Sequence, residues 1–206
     1  MPGQRISIFP LPGVILFPDM QLPLHIFEPR YRAMISDALA RDRLIGMIQP
    51  REPERPGERP ALFDVGCLGR IAEVEALDDG CFNIILQGVS LFRMASELPV
   101  TTAFRQIEGE LFEDGSVRDL AAVTRAALER EAKRFAIWLG YRVNWDSVAE
   151  LDDETFVNAV AQIAPFDAAS KQAMLEAADI PARAELAMQL MRFASSGRDP
   201  DDRDAT

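Results

Sequence analysis

Residues 67–94, CLGRIAEVEALDDGCFNIILQGVSLFRM, constrain the fold more than any other stretch. Two runs rich in Ile, Val, Leu and Phe flank Asp79-Gly80, a dipeptide that accepts the backbone of a tight hairpin turn. The pattern predicts two long antiparallel strands. Gly66, Gly69 and Gly88 fall in or beside them, where a missing side chain marks a bulge or sharp bend, as in a sheet that curls into a barrel. Cys67 sits about ten residues from the turn, on the order of 30 Å from Cys81 at the rise of a strand. The two thiols are therefore expected to stay reduced.

The segments around this hairpin read as follows. ISIFPL (6–11) alternates as a short strand, and GVILFP (13–18) reads as a second extended apolar piece. Each X-Pro pair in 9–23 pushes its first residue out of helical geometry, so this stretch is extended chain with corners. Pro29 then suits a first helical position. Tyr31, Met34, Ile35, Ala38 and Leu39 follow at the spacing of one helix face. LIGMIQP (44–50) and FRQIEGELFED (104–114) read as strands. Between them PREPERPGERPA (50–61) carries four prolines and six charges, too few apolar groups for a packed element; it reads as a surface loop. After Asp114 the period becomes helical. Ser116 with Asp119 resembles a capping box, and Gly140 offers a stop for the helix that follows. Further helices are expected near 152–154 with Phe156, Val157, Val160 and Ala161, from Asp167 through Met174, Leu175 and Ala178, and after Pro181 with Leu186, Leu190, Met191 and Ala194. The expected organisation is a β-rich unit over 1–114, a helical unit over 115–195 and a disordered tail over 196–206.

Charge and motif content exclude several function classes. The net charge is −11, and acidic residues outnumber basic ones on both sides of Phe112. A phosphate-neutralising surface for nucleic acid is disfavoured, and anionic membranes should repel the chain. The apolar run from Ile6 to Pro18 is too short and too proline-broken for a membrane span or export signal, which makes cytoplasm the expected location. His25 is the sole histidine. With two distant cysteines it leaves no zinc set, and no G-x-S-x-G or phosphate-loop motif occurs. His25 reads as a partly buried edge residue and Cys67 as a buried strand cysteine. Lys133 and Lys171, the only lysines, lie on expected helices outside any recognisable Ser-Lys dyad. Phe135, Trp138 and Tyr141 read as helix packing. No metal, cofactor or catalytic residue is expected.

Three separated stretches carry a family likeness: FPLPGVILFPDMQLPLHIFEPRYRAMISDAL (9–39), FDVGCLGRIAEVEALDDGCFNIILQGVSLFRM (63–94) and APFDAASKQAMLEAADIPARAELAMQLM (164–191). Together they resemble the amino-terminal substrate-recognition domain of ATP-dependent Lon proteases, and more closely the free-standing bacterial proteins made of that domain. The resemblance implies an α+β fold: a PUA-like β pseudo-barrel with one inserted helix, then an α-helical bundle. It also implies recognition of unfolded or specific polypeptides in the service of a protease or chaperone system, without ATPase or peptidase modules of its own. One departure is Leu91 in GVSLFR, where many relatives carry Arg. The expected mechanism is capture of an apolar segment in a cleft between barrel and bundle. Expected contact residues are Met20, Leu22, Glu28, Arg30 and Arg32 near the first helix, and Gln49, Arg51, Arg55 and Arg59 along the loop. The alternatives are an RNA-binding PUA-like protein, against the charge, and an enzyme using His25.

Overall fold

The hairpin forms as its sequence requires, with Asp79-Gly80 at the turn and Gly80 at φ 79°. The computed structural model describes residues 3–52, 59–113, 115 and 117–196. In chain order its elements are β1 (Gln4–Pro10), β2 (Gln21–Ile26), α1 (Pro29–Leu39), β3 (Leu44–Ile48), β4 (Val65–Ala76), β5 (Phe82–Glu97), β6 (Gln106–Phe112), α2 (Ala122–Leu139), α3 (Trp145–Ala149), α4 (Asp153–Ile163), α5 (Ala168–Leu175) and α6 (Ile180–Ser196). The fold is α+β. The described residues fall into two units, one drawn from Met1–Glu113 with Asp167–Leu175, the other from Asp114–Phe166 with Glu176–Thr206.

In the first unit β1 pairs in parallel with β3 and antiparallel with β6, while β3–β4, β4–β5 and β5–β6 are antiparallel. These pairings return to their start and close a five-strand ring. β2 joins the first part of β5, from Phe82 to Gln87, while Leu91 to Glu97 pair with β6. One long strand can serve both neighbours because it bends. Register shifts fall between Leu68 and Gly69 and between Met94 and Ser96, and Gly69 pairs with Gly88. A side chain at Gly88 would come within 2.1 Å of the Phe17 carbonyl oxygen. Ile6, Ile8, Ile48, Leu62, Leu68, Phe92 and Ile107 fill the interior. Leu91 is buried too, facing Cys67 and Phe112 across the ladders.

Several expectations need correction. GVILFP, read as an extended apolar piece, makes no ladder, and Ile15, Leu16 and Phe17 lie buried in a loop; the second strand is QLPLHI, with Pro23 tolerated on an edge. Phe27, which its apolar character predicts to be scaffold, is 62% exposed. α1 does bury Tyr31, Met34, Ile35 and Ala38 as its spacing predicts. α5 belongs to the first unit, not with the helical half: buried Gln172 donates from Nε2 to the Val65 carbonyl at 3.1 Å.

In the second unit α6 packs against α2 and α4. The Ser116 cap lies outside the described residues, as does the 197–206 tail. α2 begins only at Ala122, with no side-chain cap. Asp153 organises its start from a distance, accepting from the Leu120 N–H at 2.7 Å and from Arg125 Nη1 at 2.6 Å. Gly140 ends the helix at φ 75°. α3 is a short helix the sequence pattern does not announce, capped by the Asn144 side chain. α6 buries Met191 as expected, but its inward face is rotated to bury Ile180, Arg183, Ala184, Ala187 and Met188 as well, leaving Leu186, Leu190 and Ala194 half-buried.

Candidate binding sites

The first turn of α1, the segment before β4 and the approach to β6 converge on one cavity of the first unit. Its lining includes Pro10, Pro12, Arg30, Tyr31, Pro50, Arg59, Pro60, Phe104 and Arg105. Arg105 holds Glu97 with a two-pronged contact, Nε to Oε1 at 2.9 Å and Nη2 to Oε2 at 2.7 Å, and donates from Nη1 to the Pro60 carbonyl at 3.0 Å. Arg59 approaches the same carboxylate at 3.7 Å with a side chain 73% exposed. Arg30 donates from Nε to Glu28 at 2.9 Å and lies over the Tyr31 ring, 4.6 Å from its centroid.

The hydrogen bonds from Arg105, reinforced by the charges of Arg105 and Arg59, hold the Glu97 carboxyl below the ordinary glutamate value of 4.5. A folded-state pKa below the unfolded one adds stability above the unfolded value, and that stability is lost as pH falls through the folded value. Glu97→Gln is therefore expected to lower the unfolding midpoint at neutral pH. The gap to the parent protein should close on acidification below about pH 4. A gap that persists unchanged into acid would remove the ion pair as its cause.

Of the expected contact residues that are described, Arg30 and Arg59 line this cavity. Arg55 lies outside the described residues. Met20 and Leu22 are half-buried, Met20 with its carbonyl accepting from Gly88 N–H at 2.8 Å and Leu22 paired with Leu86. Glu28 serves Arg30. Arg32 belongs to a different depression, with Gly80 and Phe82. Arg51 is tied to its own loop, donating to the Leu62 carbonyl at 2.8 Å and to Asp64 at 3.3 Å. Gln49 is the clear correction. It is buried, accepts from Gly13 N–H at 2.9 Å, and donates to the carbonyls of Leu11 (2.7 Å) and Val14. Its amide pins the 11–14 loop. Phe104 and Arg105 are lining residues the sequence does not single out, and Tyr31 is one it marks only as helix packing.

The second unit holds a groove between α2, α3, α4 and α6. All fifteen lining residues are apolar or aromatic, among them Phe135, Leu139, Tyr141, Trp145, Val160 and Ile163. Ile163 is 67% and Tyr141 48% exposed. Phe135 stacks on Trp138 at 5.4 Å and on Phe166 at 5.8 Å. At the rim Lys133 lies 5.3 Å from the Trp145 ring centroid. Read as packing alone, the Phe135–Tyr141 cluster hides this second use: one helix supplies both the core and the groove wall.

The candidate catalytic groups look different. His25 is exposed rather than partly buried, its Nδ1 2.8 Å from Asn83 Oδ1. Burial and the neighbouring Asp79 push the Cys81 thiol up, the opposite of the depression a nucleophilic thiolate needs. Neither Cys67 nor Cys81 is in a disulfide among the described residues. No helix among the described residues is long and apolar enough to cross a membrane.

The family model described as the ATP-dependent protease La (LON) substrate-binding domain matches residues 5–192. The chain belongs to this family. Among curated proteins with a similar Lon substrate-binding domain, Lon protease 2 of Sorangium cellulosum (strain So ce56) is 28% identical over 200 residues, 92% of this chain and 24% of that protein. Lon protease 2 of Bdellovibrio bacteriovorus is 26% identical over 196 residues, 91% of this chain and 24% of that one. The chain thus spans about a quarter of the length of these curated relatives. The fold is shared with the Lon N-terminal domain protein from Xanthomonas campestris, with TM-score 0.67 at 19% identity over 92% of this chain and 98% of that one. The N-terminal domain of a Mycobacterium avium complex Lon protease also has TM-score 0.67, at 18% identity over the same shares.

Proposed function

We propose that this Lon substrate-binding domain is a non-catalytic module that recognises polypeptides and grips an exposed apolar segment in the groove of its second unit. The observation that carries the reading is the wholly apolar lining of that groove, with Ile163 and Tyr141 open at its edge. A contiguous open apolar surface is costly to maintain in water and marks interaction sites. The closed strand ring supports a PUA-like pseudo-barrel as the first subdomain, with α1 as its inserted helix. The packing of α6 on α2 and α4 supports a helical bundle as the second. Cytoplasmic location and a protease or chaperone system as partner belong to the same reading. The pairing of His25 with Asn83 and the raised Cys81 thiol support a role without chemistry. The −11 charge works against RNA as the ligand.

The test uses a permanently unfolded probe, reduced and carboxymethylated α-lactalbumin carrying a fluorophore, with anisotropy as the readout. Burying one large aliphatic side chain is worth about 1.5–3 kcal/mol, so Ile163→Asp is expected to weaken binding by about tenfold or more. Its exposure makes the substitution nearly neutral for folding. Absence of binding by the parent protein, or equal binding by the variant, would overturn the groove as the site.

A further inference from the structure

We infer that Arg125, which is not itself a lining residue of the second unit's apolar groove, is the positioning residue that holds the α3 side of that groove ready for binding. The inference rests on the proposed function, since it assigns Arg125 a part in the groove's affinity. From α2 the guanidinium reaches three places on the facing elements. Nη2 donates to the carbonyls of Val148 at 3.3 Å and Leu151 at 3.0 Å, in the last turn of α3 and just after it. Nη1 donates to Asp153 Oδ1 at 2.6 Å, at the start of α4. Cζ lies 4.7 Å from the centroid of the Phe156 ring. Val148, Leu151 and Phe156 all line the groove. One arginine, with a side chain 19% exposed, therefore fixes three lining residues while adding no charge to the lining.

α3 needs such a tie. It has five residues and buries none of them, so little apolar burial anchors it, whereas packing of a buried face is what holds most helices. Asn144 caps its start locally, Oδ1 accepting from the Asp146 N–H at 3.2 Å and the Ser147 N–H at 3.4 Å. That cap shapes the turn but attaches it to no other helix. A helix ends with carbonyls that lack intrahelical donors, and Arg125 brings its donors to this end. At the other end Lys133, also on α2, lies with Nζ 5.3 Å from the Trp145 ring centroid, within reach of a cation–π contact. Trp145 and Val148 are what α3 contributes to the lining. With the arginine fork gone, α3 has to be ordered each time a segment binds, and that ordering lowers affinity.

The test follows the same fluorescent α-lactalbumin probe on the full chain, at a temperature where every variant is folded by circular dichroism. Arg125→Gln is expected to weaken binding about fivefold, chiefly through faster dissociation. Arg125→Lys keeps a charge beside Asp153 but not the fork, and should fall between Gln and the parent. A merely structural role predicts a smaller bound amplitude, with an unchanged dissociation rate from the molecules that are folded. The indole N–H resonances of Trp138 and Trp145, the only tryptophans, give a second readout: Arg125→Gln should move Trp145 and leave Trp138 in place. Should Arg125→Gln fail to fold, Arg125→Lys decides by the same two readouts. A parent-like dissociation rate in the folded variant, with Ile163→Asp still weakened, would overturn the role of Arg125 and leave the groove standing. Equal displacement of both tryptophan resonances would assign Arg125 to general stability and overturn it too. Absence of binding by the parent protein would remove the groove and this role together.

Discussion

Replacing Phe92 by alanine is expected to destabilise the first unit by about 3–5 kcal/mol, the range for emptying a large aromatic site in a rigid core. The ring is fully buried inside the strand ring. Its neighbours cannot easily fill the space it leaves, because two of them are glycines. A Cβ built on Gly46 would lie 2.9 Å from the Phe92 ring, and one on Gly66 2.5 Å from it. The barrel is thus packed as one aromatic ring set into a hollow of bare backbone. The measurement is urea denaturation, with hydrogen exchange at the β4 and β5 amides to localise the loss. Tryptophan fluorescence serves as an internal control, since Trp138 and Trp145, the only tryptophans, lie in the second unit. A loss below about 1 kcal/mol would show that the interior collapses freely. Gly66→Ala sharpens the argument. Its new methyl would meet both the Phe92 ring and the Met47 carbonyl oxygen at 2.4 Å. It should cost less in the Phe92→Ala background, but not nothing, because the backbone clash remains.

How much of this was legible in the sequence depends on how far each element's partners lie along the chain. The β4–β5 hairpin, its glycine bends and the α1 stripe are local patterns, and each appears where its residues place it. The failures share a cause. Gln49 stands beside a run of charges and prolines and reads as part of a contact loop, yet its amide is consumed by Leu11, Gly13 and Val14, more than thirty residues earlier. GVILFP is apolar enough for a strand, but no ladder partner reaches it; pinned by that glutamine and by Gly88, it folds in as a buried loop. The start of α2 is tied to Asp153, far downstream, which accepts from both the Leu120 amide and Arg125. α5 leaves the helices around it in sequence because Gln172 reaches Val65.

The sites follow the same rule. Arg30 and Arg59 could be named from the sequence as exposed cations near a corner and a loop. Arg105 could not, since nothing local ties it to Glu97 and Pro60. The groove was hidden for a different reason: hydrophobic periodicity reports that a helix face is apolar, not whether another element covers it. Only the positions of α3 and α4 leave Tyr141 and Ile163 open.

The buried arginine of α6 supplies the second large expected effect. Arg183 is among the largest fully buried side chains of the described residues, and its Nη1 donates to Asn158 Oδ1 on α4 at 2.6 Å. It explains why α6 turns a face inward that apolar spacing alone does not select: a guanidinium at that position satisfies a buried asparagine on the helix it packs against. Arg183→Ala removes the packing volume together with the hydrogen bond to Asn158, so it is expected to cost the second unit about 3–5 kcal/mol. Arg183→Met keeps most of the volume and gives up the guanidinium's polar contacts, so its cost should be smaller, about 1–3 kcal/mol. Trp138 and Trp145 fluorescence during urea denaturation reads both variants in the unit concerned. If Met is as damaging as Ala, the charge–amide contact outweighs the packing. If neither variant moves the midpoint, the contact between α4 and α6 does not depend on this residue, and the burial of a charge there has no stabilising role.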